Sequence, residues 1–537
     1  MINKQQLYKS KLIGITCLCL IGGEQALALT CAQIQPPAYN ASIYVSPKGV
    51  DNTTCGTVEA PCQTIQEGIL HCSVNNQTGS QSGCAVFVRY GLYAVTSPVQ
   101  LANGIDVYGS CVFDDADPRY RTTVTGSPAF TASSINTKTL LQGFVVMGTD
   151  GSQPGQASIA MTVSGSSGLT ISRSVLTSGK GADSTSPGAV DGTAGGGGLP
   201  RNNNSGGAGG LACSANPTTT GMGGQGADFQ QVYSSGCFVG CACSNNNYPN
   251  SEGRVGTASG AVQGGNGGLR SDQQGCMCGA NGDPGDGGTG SPGNPGACGT
   301  SGGGPSPDAK GTFSGITWTS TQGGSGDSGQ VGSGGGGGGS GGMATVVGGP
   351  DIPGLPGGGG GGGGCGGNGG AGGRQGGASI PLVLSQSTIT GLDVDNALIP
   401  GPGGTGGNGA SGGKGGPGGA GDPGPKGHQT HVEQALYCSG NAPGSGGKGG
   451  AGGQGGAGSG GAGGNGGPSS GIALVNSSNN YSSVVIYPTQ PGTKGSGGAG
   501  GNNSSSQCTG AGGHDGVLGA SDLILTFTDL GRKNPWR

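Results

Sequence analysis

Tracts in which glycine fills up to two of every three positions constrain this chain more than any other feature. Glycine supplies 136 of the 537 residues, and only 31% of the residues are hydrophobic. Such tracts cannot build an ordinary apolar core, because glycine has no side chain to bury and loses the most conformational entropy on ordering. The main tracts are 192–210, 256–299, 323–377, 401–427 and 444–467.

The period of three is that of a polyproline II helix. A segment with two bare faces can lie close to its neighbours and exchange backbone hydrogen bonds with them. The alternative is a flexible linker. The regular triplets of 446–467 favour the packed bundle, whereas the unbroken glycine runs 334–339 and 357–364 favour a flexible linker, since nothing in them fixes a register.

The first 28 residues predict a cleaved signal peptide. Three lysines precede the apolar run 12–23, and Ala26 and Ala28 have cleavage-site spacing, so the mature chain begins near Leu29. An uncleaved signal anchor is the alternative, although the apolar run is short for a membrane span. No small residue precedes Cys31 at lipoprotein spacing, so we expect no lipid anchor. The mature chain would carry a formal charge of −6, which favours neither nucleic acid nor an anionic membrane as partner.

Cysteine usage also indicates an oxidising compartment. Of the 18 cysteines, Cys17 and Cys19 lie in the leader, which leaves an even number as disulfide candidates. These are Cys31, Cys55, Cys62, Cys72, Cys84, Cys111, Cys213, Cys237, Cys241, Cys243, Cys276, Cys278, Cys298, Cys365, Cys438 and Cys508. Their connectivity cannot be read from the sequence. Five lie between residues 55 and 111, so one of these must pair elsewhere or stay free, and Cys31 is the nearest candidate partner.

Short segments rich in Val, Ile, Phe and Tyr predict strands at 42–46, 85–88, 104–108 and 144–147. Between the first two, Ile65, Ile69 and Leu70 recur at helical spacing and predict a short helix. Similar islands at 157–164, 168–176, 379–390, 471–475, 483–487 and 522–528 are interrupted by the glycine tracts.

This order of elements resembles the start of a right-handed parallel β-helix of the pectin-lyase-like class. The resemblance rests on Ile43-Tyr44-Val45, the helical segment after Pro61, the strand ending in Arg89-Tyr90-Gly91, and Gly104-Ile105-Asp106, and it covers residues 41–178. It implies an all-β fold in which a helix caps the open end of a solenoid. The glycine tracts are similar to the polyproline II bundles of some antifreeze proteins and phage tip adhesins, and to glycine-rich bacterial surface proteins.

We therefore expect a cap and first rungs at 41–178, glycine- and cysteine-rich insertions at 179–378, a rung at 379–400, a glycine-rich tract at 401–470, and terminal rungs at 471–537.

Residues that could carry polysaccharide chemistry are few. The resemblance to lyases and hydrolases directs attention to a basic residue near carboxylates or to paired carboxylates. The candidates are Arg173, Asp114, Asp115, Asp117, Asp393 and Asp395. Each is interpreted as a loop or rim charge, because surface charges are common. We expect no catalytic residue and no enzyme.

Metal and cofactor sites are also not expected. His428 and His431 stand three residues apart, but Gly-Pro-Lys-Gly before them predicts a loop. Cys241, Cys243, Cys276 and Cys278 lack the spacing of a zinc knuckle, so cross-linking is favoured.

Three functional hypotheses follow. The first is a secreted or cell-surface structural or adhesive protein that binds surface glycans or other envelope components. The second is a polysaccharide-binding or polysaccharide-degrading protein, against which the 4% aromatic content argues. The third, ice binding by a flat glycine-rich bundle, rests on analogy alone.

Overall fold

A computed structural model describes residues 39–77, 83–111, 121–185, 191, 196–197, 206–213, 222–227, 286–342, 354–392, 395–426, 444–477, 481, 484–503, 505 and 507–527. It contains one helix, α1 (Ile65–Gln77). The strands are β1 (Ala41–Val45), β2 (Cys84–Arg89), β3 (Gly91–Ala94), β4 (Val99–Leu101), β5 (Ile105–Cys111), β6 (Thr122–Thr125), β7 (Phe130–Ser133), β8 (Thr139–Gln142), β9 (Phe144–Met147), β10 (Ser158–Ser164), β11 (Leu169–Ser172), β12 (Val175–Thr177), β13 (Thr312–Ser314), β14 (Thr317–Thr319), β15 (Ser379–Ser385), β16 (Ala397–Ile399), β17 (Ile472–Val475), β18 (Val485–Ile486) and β19 (Ile524–Phe527).

Three parallel sheets form the walls of a β-helix. Sheet 1 has the order β1-β2-β5-β8-β11, sheet 2 has β3-β6-β9-β12-β16-β18, and sheet 3 has β4-β7-β10-β15-β17-β19. From β2 to β15 the chain visits the sheets in turn, so each circuit adds one strand to each sheet. The later strands β16–β19 extend only sheets 2 and 3, and a single bridge between Thr170 and Thr390 continues sheet 1. The all-β parallel β-helix expected from the sequence is therefore the observed architecture.

The core lies inside the three sheets. Because strand side chains alternate between faces, stacked circuits align the inward side chains in columns. In sheet 1 the column consists of Val86, Val107, Leu141 and Ile171, which follow the pairing register and are fully buried. In sheet 3 the corresponding column includes Phe130, Met161, Leu382 and Ile472, also fully buried.

The helix α1 closes the first circuit, as predicted, but extends further than the segment that indicated it. Its start is fixed because the Glu67 N–H donates to Thr64 Oγ1 at 3.2 Å, which satisfies a free N–H of the first turn. The helix residues Ile65 and Ile69 are buried against the end of the β-helix.

The predicted strands coincide with observed ones to within two residues at each end, apart from 104–108, whose strand β5 continues to Cys111, and the islands at 168–176 and 379–390. The first of these islands is two strands, β11 and β12, separated at Arg173, whose φ is 47°. The second island is strand only as far as Ser385, with an isolated bridge at Thr390. Eight strands were not predicted. Six of them lie in the β-helix, where a short strand's pairing is decided by the neighbouring circuit rather than by its own residues. The other two, β13 and β14, pair with each other outside the β-helix.

All three long glycine-rich insertions leave the β-helix at the same corner, between sheet 2 and sheet 3. They connect β12 to β15 through 178–378, β16 to β17 through 400–471, and β18 to β19 through 487–523. Because successive circuits stack, insertions at one corner are placed side by side. The signal peptide predicted at 1–28 lies outside the described residues.

Candidate functional site

The glycine-rich insertions form a hydrogen-bonded bundle in which backbone bonds recur at every third residue. One row runs from the 358–376 segment to the 444–467 segment. The N–H groups of Gly358, Gly361, Gly364, Gly367, Gly370 and Gly373 donate to the carbonyls of Gly447, Gly450, Gly453, Gly456, Ser459 and Ala462 at 2.8–2.9 Å. The residue numbers of donor and acceptor both increase by three from one bond to the next, so these two segments run parallel.

The 444–467 segment is the centre of the bundle. It exchanges backbone hydrogen bonds with six neighbouring segments, namely 287–303, 324–339, 358–376, 404–422, 492–501 and 511–517. This is possible because glycine lets backbones approach closely on every side. A Cβ added at Gly455 would overlap the Cys365 carbonyl, and one at Gly361 would overlap the Gly419 carbonyl.

The prediction that 334–339 and 357–364 are flexible linkers is wrong. Residues 334–339 are buried, and Gly335 donates to Gly361 while Gly338 donates to Gly358, each at 2.8 Å. These runs carry no side chains of their own that could fix a register. The structure fixes the register of these runs through neighbouring segments that do carry side chains and disulfides.

In the part of the bundle that the structure describes, two disulfides cross-link distant segments. Cys213 is bonded to Cys365 and Cys298 to Cys508, across 152 and 210 residues of sequence, with Cα–Cα distances of 4.9 and 6.0 Å. Two more, Cys55–Cys62 and Cys72–Cys84, lie in the N-terminal cap. The remaining candidates, Cys31, Cys237, Cys241, Cys243, Cys276, Cys278 and Cys438, lie outside the described residues, as does the side chain of Cys111.

Two neighbouring segments present short polar side chains to solvent at a spacing of three residues. Asn408 and Ser411 on one segment and Thr493 and Ser496 on the other are exposed. The segments are held in register because the Ser496 N–H donates to Asn408 Oδ1 at 2.9 Å. Thr493 also donates to the Thr405 hydroxyl at 3.3 Å. The result is a regular array of hydroxyl and amide groups suited to hydrogen-bonding an external surface.

Carboxylates at the edges of the bundle accept backbone hydrogen bonds from the next segment. Asp183 Oδ1 accepts from the Thr405 N–H at 2.7 Å, and Asp191 Oδ1 accepts from the Lys414 N–H at 2.8 Å. The hydrogen bond from Lys180, followed by that from Thr405, holds the pKa of Asp183 below its usual range. Asp515 has a lowered pKa for similar reasons, the Gly497 N–H first and Lys494 second.

Only two of the polysaccharide-chemistry candidates are brought together by the described residues. Arg173 Nε lies 4.0 Å from Asp395 Oδ2, and both side chains are about half exposed. Arg173 follows β11 and Asp395 precedes β16, so successive circuits place them side by side. Asp114, Asp115, Asp117, Asp393, His428 and His431 lie outside the described residues.

An aromatic stack follows the outer face of sheet 1. Tyr44, Phe87 and Tyr108 are cross-strand neighbours whose ring centroids are 5.7 and 5.3 Å apart. Phe87 and Tyr108 are buried, so their faces are not open for sugar stacking. Tyr39 covers the stack and donates to Asp106, and burial first and this bond second raise the pKa of Tyr39. The sequence reasoning missed this stack, although the aromatic residues of strands 42–46, 85–88 and 104–108 signalled it.

A second feature that sequence reasoning missed is the antiparallel hairpin β13–β14 inside the largest insertion. Its Phe313 and Trp318 cover the outer face of sheet 3, where Val383 and Leu525 are fully buried. The Phe313 and Phe527 rings meet edge to face at 4.8 Å. The hairpin thus anchors the insertion to the β-helix.

Comparisons with known proteins give little further information about the function of this chain. No known family matches the chain, and no curated protein is similar to it. A solved rhamnogalacturonan lyase is similar at 18% identity with a TM-score of 0.18, over 27% of this chain and 38% of that one. The chain thus matches about two fifths of that structure, and the fold assignment rests on the strand pairing. Among the described residues, no helix has the length and hydrophobicity to span a bilayer.

Proposed function

We propose that this protein is a secreted or cell-surface structural and adhesive protein that catalyses no reaction. The β-helix is its trunk, and the glycine bundle is the element it presents to surface glycans or other envelope components. The observation that carries the proposal is the 444–467 segment, which is bonded to six neighbours inside a bundle stapled by two disulfides. Such a bundle is rigid, and a rigid surface loses little entropy on binding.

We also infer that the bundled segments are polyproline II helices. A helix with three residues per turn presents equivalent positions every third residue, which matches the repeat of the hydrogen bonds. It has no internal hydrogen bonds, so its N–H and carbonyl groups are free for neighbours. Side chains at one position in three then form straight ridges, as at Asn408, Ser411 and Lys414.

Secretion is supported by the four disulfides found among the described residues, because such bonds persist in oxidising compartments. Disulfide cross-links are needed in the bundle because glycine segments bury no apolar side chains that could stabilise it. Cross-linking compensates for the unfolded-state entropy of such a chain.

Polysaccharide cleavage is the second candidate function, and the Arg173–Asp395 pair is the observation that favours it. A base beside a carboxylate is the arrangement expected of a lyase. Two exposed side chains at 4.0 Å are also what an ordinary surface ion pair provides. The adhesive function is preferred because it uses the bundle, which makes up most of the described part of the insertions.

The first experiment is limited proteolysis of the oxidised protein with and without reductant, with the cuts mapped by mass spectrometry. We expect 286–342, 354–377 and 444–467 to resist cleavage until the disulfides are reduced. Immediate cleavage of these segments in the oxidised protein would show that they are linkers and would remove the proposal.

The second experiment measures binding to a panel of immobilised polysaccharides and to whole bacterial envelopes. A Thr493→Lys/Ser496→Lys variant should weaken binding, while Thr300→Lys, on another exposed segment of the bundle, should not. Release of unsaturated uronide products by wild type, abolished in Arg173→Ala, would instead establish the lyase. Thermal hysteresis in solution would support ice binding.

A further inference from the structure

The N-terminal cap gathers two sulfur atoms and one imidazole nitrogen at a single point, with a carboxylate beside the imidazole. The Sγ atoms of Cys55 and Cys62 and the Nε2 atom of His71 all lie within 4.8 Å of one another. Nε2 is 3.8 Å from Cys55 Sγ and 3.2 Å from Glu67 Oε1. The two cysteines form a disulfide in this state.

The backbone places these groups independently of the disulfide. Cys62 N–H donates to the Tyr44 carbonyl, and Tyr44 N–H donates to the Gly56 carbonyl, each at 2.9 Å, so both ends of the 55–62 loop are bonded to β1. Glu67 and His71 are four residues apart on α1 and therefore share one face of the helix. Breaking the sulfur–sulfur bond leaves these restraints in place.

We infer that the reduced form of this cap is a zinc site with Cys55, Cys62 and His71 as ligands, and with Glu67, which lies beside His71, moving in as the fourth. Thiolate, imidazole and carboxylate are the ligands that Zn²⁺ takes in tetrahedral sites. Zinc–ligand bonds of about 2.0–2.3 Å require ligand atoms about 3.3–3.8 Å apart. The separations of 3.2 Å between His71 and Glu67 and 3.8 Å between His71 and Cys55 are close to this requirement. The two sulfur atoms, which are bonded to each other here, must move apart to about 3.8 Å on reduction, and the Glu67 side chain must turn toward them.

The approach to the site is open on one side. Both cysteines are buried, whereas the side chains of His71 and Glu67 are 19% and 29% exposed. A metal ion can enter past the helix while the sulfur ligands stay shielded from solvent. A partly buried site of this kind favours a structural metal that holds a loop in place.

The two states are linked by a balanced reaction. An external dithiol supplies two electrons and is itself oxidised to a disulfide, and the Cys55–Cys62 bond breaks to give two thiols. Zn²⁺ then displaces one proton from each thiol, since only the thiolate binds the metal. The cap is cross-linked in either state, by sulfur in an oxidising medium and by zinc where thiols are present.

The test is a zinc titration of the full chain kept reduced with a phosphine, followed by competition with a chromogenic chelator. The wild type should bind one zinc ion more per chain than the Cys55→Ser/Cys62→Ser variant. Cobalt(II) in place of zinc should give the absorption of a tetrahedral thiolate complex, and that signal should be lost with the two cysteines. The oxidised wild type should show no such signal.

Matched variants distinguish the zinc ligands from residues that do not bind the metal ion. His71→Ala should lower zinc affinity at this site by more than about ten-fold, the least that follows even from losing a group that only orients a ligand. His514→Ala and Cys213→Ser/Cys365→Ser should leave it unchanged. Equal stoichiometry in wild type and the Cys55→Ser/Cys62→Ser variant, or an unaltered affinity in His71→Ala, would overturn the inference and would leave the adhesive function untouched.

Discussion

The backbone N–H of Thr405 donates a 2.7 Å hydrogen bond to the Asp183 carboxylate, although 222 residues separate the two along the chain. The same carboxylate accepts from Lys180 Nζ at 2.7 Å. Two glycine segments with bonds at every third residue could slide by three residues without losing bonds. Side chains such as Asp183, Asp191 and Asn408 bond particular N–H groups of the next segment and so specify one register.

The first prediction concerns the loss of stability at low pH when the Asp183 carboxylate is protonated. Asp183 has a folded-state pKa below its unfolded value of about 3.9. Its contribution to the free energy of unfolding is therefore complete above that value and is lost as the pH falls through the folded pKa. Asp183→Asn should lower stability at neutral pH by less than about 1 kcal/mol, because the ion pair is exposed.

Urea unfolding at neutral pH and at a pH below the folded-state pKa checks this. The difference between wild type and Asp183→Asn should disappear at the lower pH. A difference that is the same at both values would show that the carboxylate charge plays no part.

The second prediction concerns close backbone contact. Gly361→Ala places a methyl group on the carbonyl of Gly419, and backbone cannot move aside cheaply. Overpacking of this kind costs about 1–3 kcal/mol or more. Gly304→Ala is the matched control, because a Cβ there has nothing within 4 Å. Thermal unfolding followed by circular dichroism should show a lower midpoint for Gly361→Ala only, and equal midpoints would contradict the close packing.

The third prediction concerns the long-range staples. Cys298→Ser/Cys508→Ser opens a loop of 210 residues, and Cys55→Ser/Cys62→Ser opens one of 7. Because loop-closure entropy grows with loop length, the first variant should lose more stability, about 2–5 kcal/mol. Protease half-life of the 444–467 segment is the measurement. A longer-lived segment in Cys298→Ser/Cys508→Ser than in Cys55→Ser/Cys62→Ser would contradict the stapling role.

The fourth prediction concerns the hairpin that covers sheet 3. Phe313→Ala removes the ring that packs on Phe527 and should destabilise the attachment by about 3–5 kcal/mol. Trp318, now buried, should become exposed, with a red shift of its fluorescence and increased binding of a hydrophobic dye. Thr317→Ala, an exposed position on the same hairpin, serves as the control. An unchanged spectrum in Phe313→Ala would show that the hairpin is held by other contacts.

Much of the trunk could be predicted from sequence because its information is local. The unbroken apolar run 85–88 and the alternating Ile105 and Val107 identify two strands of one core. Thr64 and Glu67 carry the start signal of the helix between the first strands. The short strand β16 lacks such a signal, since its partners β12 and β18 lie far away in sequence. The strands of the hairpin β13–β14 have only three residues each, too few for a recognisable pattern.

The sequence by itself determined that glycine segments would have bare faces, an even number of cysteines and no ordinary core in the tracts. Only the tertiary structure decided which segments meet. All three insertions leave one corner of a stacked solenoid, and their backbone groups find partners in segments up to hundreds of residues away. Runs such as 334–339 carry no side chain that could encode a partner, so their order comes from the neighbours placed around them.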